Sequence, residues 1–139
     1  MVNCNKEVKC VLIDPPDDNP VHPEGWRQRF ELSRKEDEHN ATEMHEAYPP
    51  LGLLYIAATL RKDGIDADII EARTSGLSHD QVLRRIEEQA PHFVGITAIT
   101  ARINSALYLA AKIKEINRDI QVVLGGPHRP KLIEHHYQM

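Results

Sequence analysis

The chain has 139 residues, 41% hydrophobic and 27% charged, with a net charge of −4 and a pI near 6.0. That is enough chain to bury a core, and the acidic balance argues against a nucleic-acid or anionic-membrane surface. No apolar run approaches the roughly 18 residues of a membrane span and the N-terminus shows no signal-peptide core, so a cytoplasmic protein is expected. Val8 to Ile13 reads as the first strand, stopped and stiffened at Asp14-Pro15-Pro16 because proline donates no ladder hydrogen bond. Asp17 to Ala47 is long and polar, the kind of insertion that is more often functional or disordered than incidental. Within it, Gln28 to Met44 has the composition of a short charged helix, and Trp26 and Phe30 are its anchors, either onto its own core or onto a partner. His39 and His45 are six apart and share no helix face as an i,i+4 pair would, so these histidines, with His22, read as solvated loop residues. Cys4 and Cys10 are not expected to pair, and two thiols without a second cluster are a weak metal signal.

Regular structure reopens at Tyr48-Pro49-Pro50-Leu51-Gly52, followed by a helix with Leu53, Ile56, Ala57 and Leu60 on one face. Arg61 and Lys62 in the last turn and Gly64 just beyond it mark its end. Ala67 to Glu71 is the second strand, and Ala72 to Leu77 reads as a loop. Ser78 caps the next helix, with Asp80 and Gln81 in its first turn and Val82, Leu83 and Ile86 as its apolar stripe. Phe93 to Thr97 is a buried strand, and Ala98 to Arg102 a loop. Ile103, Leu107, Ala110, Ala111, Ile113 and Ile116 recur at helical spacing, and Gln121 to Leu124 forms another buried strand ending in Gly125-Gly126-Pro127-His128.

Strands alternating with helices predict an α/β fold: an open parallel sheet with helices on both faces, Rossmann-like, of about four strands in the order 2-1-3-4. The loop over about residues 15–50 and the loop Ala98 to Arg102 then flank the switch point, where open sheets bind ligands. The eleven or so residues after His128 are too few for a further helix and strand, so residues 1–139 read as one C-terminally shortened domain.

Tyr48-Pro49-Pro50-Leu51-Gly52-Leu53-Leu54-Tyr55-Ile56-Ala57-Ala58, Leu60-Arg61-Lys62-Asp63-Gly64, Val94-Gly95-Ile96-Thr97 and Val123-Leu124-Gly125-Gly126-Pro127-His128 together resemble the N-terminal cobalamin-binding domain of cobalamin-dependent radical S-adenosylmethionine enzymes. The resemblance covers most of Val8 to His128 apart from the long insertion. It implies a corrinoid flat on the carboxyl edge of the sheet, with its nucleotide tail beside the first, third and fourth strands. It places Asp14, Pro15, Pro16, Pro50, Leu51, Gly52, Thr97, Ala98, Ile99, Thr100, Gly125, Gly126, Pro127 and His128 at the cofactor. Glycines at 125 and 126 let a ligand approach the backbone, and Thr97-x-Ile99 stands where the wider class has a serine-x-leucine pair. His128 is expected against the corrin rim or a neighbouring domain.

Two departures shape the functional reading. The wider class carries D-x-H-x-x-G after its first strand, and its histidine ligates cobalt; here the stretch is Asp14-Pro15-Pro16-Asp17-Asp18-Asn19, so no histidine ligand is expected from this loop. The relatives' [4Fe–4S] cluster and S-adenosylmethionine belong to a barrel domain with C-x-x-x-C-x-x-C, and this chain has only Cys4 and Cys10. It is therefore expected not to be catalytic alone, but to be the cofactor-binding part of a methyltransferase-like radical enzyme whose barrel acts in cis or in trans. Two alternatives stay open: an interaction or regulatory module of the same fold, and a flavodoxin-like domain holding a flavin or nucleotide.

Overall fold

The computed structural model describes residues 7–17, 20 and 49–127. Most of the insertion, with residues 28–44, Trp26, Phe30, His22, His39 and His45, lies outside the described residues, as do Cys4 and everything from His128 onward.

The elements run β1 (Lys9–Asp14), α1 (Leu51–Lys62), β2 (Asp66–Glu71), α2 (Ala72–Ser75), α3 (His79–Gln89), β3 (Phe93–Thr97), a 3-10 turn (Thr100–Arg102), α4 (Ile103–Ile116) and β4 (Gln121–Gly125). The four strands form one parallel sheet in the order β2-β1-β3-β4, as the alternation predicts. Helices lie on both faces. On one, α3 and α4 bury Val82, Ile86, Leu109 and Ile113 against Val11, Ile13, Val94 and Ile96. On the other, α1 buries Leu53 and Ala57 against Cys10, Leu12 and Ala67.

Local signals explain the boundaries. α1 ends in a Schellman arrangement: Gly64, at φ 81°, donates to the Arg61 carbonyl at 3.1 Å, and the Ile65 amide donates to the Leu60 carbonyl at 3.0 Å. Ser78 and Gln81 form a reciprocal capping box at the start of α3, with Ser78 Oγ accepting from the Gln81 amide at 3.2 Å and Gln81 Oε1 accepting from the Ser78 amide at 2.9 Å.

Three expectations are corrected. The stretch after β2 is not a plain loop: Ala72–Ser75 makes one helical turn, closed by Gly76 at φ 65°. The buried stripe of α4 runs through Ser105, Ala106, Leu109, Ala110 and Ile113, while Ala111 is exposed. Ala110 and Ile113 of the expected stripe are buried, but the buried face extends to Ser105, Ala106 and Leu109 rather than to Ala111. Finally, β3 is buried on one face only, and β4 is partly buried there through Val122 and Leu124. Phe93 is 43% and Val123 59% exposed. α1 covers β1 and β2 on its side of the sheet, and no described element covers β3 and β4 there.

Candidate functional site

That uncovered half of the sheet forms an apolar groove of about 490 Å³. Side chains alternate across a sheet, so residues two apart share a face. The register aligns Leu12, Gly95 and Val123 in one row across β1, β3 and β4, and Cys10 beside Phe93 in the row before it. Thr97 and Gly125 are paired at the carboxyl end. α1 supplies the wall through Leu53, Ile56 and Leu60, and Gly52 stands at its mouth. The groove therefore runs the length of the strands and opens at the carboxyl edge.

Four glycines shape it in different ways. A Cβ at Gly95 would stand 2.8 Å from Leu12 Cδ2, so the floor dips over the central strand because that position has no side chain. Gly126 has φ 107°, and a Cβ there would meet the Ala98 carbonyl oxygen at 2.6 Å and Thr97 Oγ1 at 3.1 Å. Only glycine lets the end of β4 pass this close to the loop after β3. The Ala98 amide also donates to the Gly125 carbonyl at 2.6 Å, carrying the pairing one residue past β3. By contrast, a Cβ at Gly52 or Gly125 would meet nothing within 4 Å. Those two glycines border open space at the mouth of the groove.

Polar groups are few. Among the described lining residues, Thr97 contributes the one hydroxyl, at the carboxyl end. Cys10 contributes a thiol, and burial pushes its pKa up, so it stays neutral and behaves as a small apolar group.

The first loop is held by an ion-pair cluster. Arg102, buried in the 3-10 turn, donates from Nη1 to Asp14 Oδ1 at 2.6 Å and to the Pro15 carbonyl at 3.1 Å. Its Nε lies 3.5 Å from Asp17 Oδ1, and Arg73 Nε donates to Asp17 Oδ2 at 3.3 Å. The Asp14 carboxylate is thus engaged, and Pro15 and Pro16 are buried beside it. No group of three or more histidine, cysteine or acidic side chains able to hold a metal occurs among the described residues.

The structure brings Gly52, Thr97, Gly125 and Gly126 together at the groove, with Asp14, Pro15 and Pro16 at the neighbouring end of β1. Pro50 sits at the start of α1, where its carbonyl accepts from the Leu54 amide at 3.0 Å, and Leu51 is exposed. Ala98 is separated from the groove: it is fully buried in the core on the α3–α4 face. Ile99 is partly buried, Thr100 begins the 3-10 turn, Pro127 is exposed, and His128 lies outside the described residues. Sequence reasoning missed Arg102 and the groove-facing residues Leu12, Ile56, Phe93, Gly95 and Val123. An isolated glycine inside a strand, as at Gly95, was the available signal for close approach. Nothing in the sequence near Arg102 marks it as the partner of an aspartate 88 residues earlier.

The B12 binding domain family matches residues 40–137. Over 80 residues, 58% of this chain and 17% of the relative, the chain is 39% identical to an uncharacterized methyltransferase of Pyrococcus horikoshii. It is 42% identical over 82 residues, 58% of this chain and 15% of the relative, to the anaerobic magnesium-protoporphyrin IX monomethyl ester cyclase of Rubrivivax gelatinosus. The cyclase of the same name from Cereibacter sphaeroides is 32% identical over 87 residues, 62% of this chain and 14% of the relative. The aligned part of this chain thus spans about one-sixth of the length of these curated relatives. No solved structure matches the chain.

Proposed function

This chain belongs to the B12-binding domain family, and from that membership we propose that it holds a corrinoid on the carboxyl edge of its sheet, with the nucleotide tail in the groove between α1 and β4. The observation that carries the reading is the groove itself: long, apolar, floored by Gly95 and open at its mouth because positions 52 and 125 are glycine. The residues fit such a guest. Gly52 and Gly125 leave room for a ligand to pass, Gly126 lets the strand end and the Thr97-Ala98 backbone close up beneath it, and Thr97 offers one hydroxyl to a nitrogen of the tail.

When bound, the corrinoid supplies the methyl-carrying or electron-carrying cobalt; the chain's own residues bind it, orient it and shield its tail. The Asp14-Pro15-Pro16 stretch offers no histidine to the lower face, since Pro16 stands at that position and Asp14 is committed to Arg102. Chemistry on a substrate belongs to a radical S-adenosylmethionine barrel that acts with this domain in cis or in trans and carries the [4Fe–4S] cluster. The names of the relatives, a methyltransferase and a cyclase, and their much greater length support a role as one part of a larger enzyme.

Titration with hydroxocobalamin, followed by visible absorption, tests the proposal. The expected result is saturable binding with a base-off spectrum that is unchanged when the histidines are replaced by alanine. Absence of binding well above micromolar cobalamin, or a ligand-on spectrum that turns base-off when one histidine is replaced, would overturn it.

A further inference from the structure

The composition of the groove sets which tail it accepts. Its floor and walls are carbon: Leu12, Ile56, Phe93 and Val123, with the neutral Cys10 thiol among them. Thr97 brings the one side-chain hydroxyl among the described lining residues, and it stands at the mouth. The main-chain groups of β1 and β3 are engaged in the sheet ladder on both sides of β3, so that part of the floor offers no backbone donor or acceptor in their place. Among the described residues, a ring that enters the groove therefore meets apolar side chains nearly everywhere and one side-chain hydroxyl at one end.

Resting on the reading that the tail occupies this groove, we propose that the domain selects corrinoids by their lower base, taking benzimidazole-type bases and discriminating against purines. A dimethylbenzimidazole has one free ring nitrogen, which a single hydroxyl satisfies, and two methyl groups that gain by leaving water. An adenine base has an exocyclic amine and further ring nitrogens. Each of these that leaves water for this groove loses its hydrogen bonds and finds no side-chain partner beyond Thr97 among the described lining residues, which costs on the order of tenfold in affinity per group.

The test is a calorimetric titration of the protein with three anaerobic cob(I) corrinoids: cobalamin, the adenine-based cobamide, and cobinamide, which lacks the tail. In the cob(I) state neither base sits on cobalt, so the cost of detaching it cancels from the comparison. The expected result is cobalamin bound at least about tenfold more tightly than the adenine form, with the adenine form close to cobinamide. Equal affinity for cobalamin and the adenine form, both tighter than cobinamide, would overturn the selectivity while leaving the tail in the groove. Equal affinity for all three would remove the tail from the groove and the selectivity with it. No binding of any of them would overturn the corrinoid reading itself and, with it, the inference.

Discussion

At the scale of single residues, the glycines differ in what a side chain would meet. Gly126 is needed by the fold: its φ of 107° and the 2.6 Å approach to the Ala98 carbonyl leave no place for a side chain. Gly126→Val is expected to lower stability by about 2–4 kcal/mol through backbone strain and a forced shift of the β3 loop, read as a lower midpoint in urea. Gly95→Ala is a milder case. The new methyl must displace Leu12 Cδ2, and the expected loss is about 1–3 kcal/mol. Gly125 differs from both, since a Cβ there meets open space at the end of a strand. Gly125→Val is expected to keep stability within about 0.5 kcal/mol while narrowing the mouth of the groove. Cys10 gives a fourth prediction. Its folded pKa is raised by burial, so the stability tied to its neutral form is present below the unfolded thiol pKa and is lost as pH rises above it. Cys10 should therefore resist alkylation near pH 8 in the native protein and react on unfolding. Rapid native labelling would contradict its burial.

At the scale of elements, the Arg102–Asp14 pair ties the turn after β3 to the end of β1 at the carboxyl edge. Both side chains are nearly inaccessible, at 9% and 4% exposure. Arg102→Ala leaves a buried carboxylate without its partner, for an expected cost of about 3–5 kcal/mol. An apolar replacement of both, Asp14→Leu with Arg102→Met, should recover most of that loss in urea denaturation, because the penalty lies in the unpaired charge. The elements also show why some features were legible in sequence and others were not. The end of α1 and the start of α3 were readable because Gly64 and the Ser78–Gln81 pair are local signals complete within a few residues. The single turn Ala72–Ser75 was not, since four residues carry no periodicity. The buried face of α4 depends on which small residues meet the sheet, and both stripes are apolar enough to pass as the buried one.

At the scale of the molecule, the alternation of strands and helices was enough to predict the sheet order β2-β1-β3-β4, because parallel pairing and short connections leave few topologies. The groove was hidden for a different reason. Phe93–Thr97 and Gln121–Leu124 look like strands buried on both faces, and sequence alone does not say that α1 covers only the β1–β2 half of its side. Gly125 and Gly126 were legible as small residues at the end of the fourth strand, but their different surroundings appear only when a Cβ is placed on each. On the proposed reading, the apolar surface left open among the described residues is where the cofactor's tail lies.

The central claim is that a corrinoid tail enters the groove at its glycine mouth. Its most direct test is a paired titration of the parent protein and Gly125→Val with hydroxocobalamin, alongside their urea midpoints. Matching midpoints, saturable binding by the parent protein and at least tenfold weaker binding by the variant, about 1.4 kcal/mol, are expected. Equal affinity in two equally stable proteins would contradict the claim.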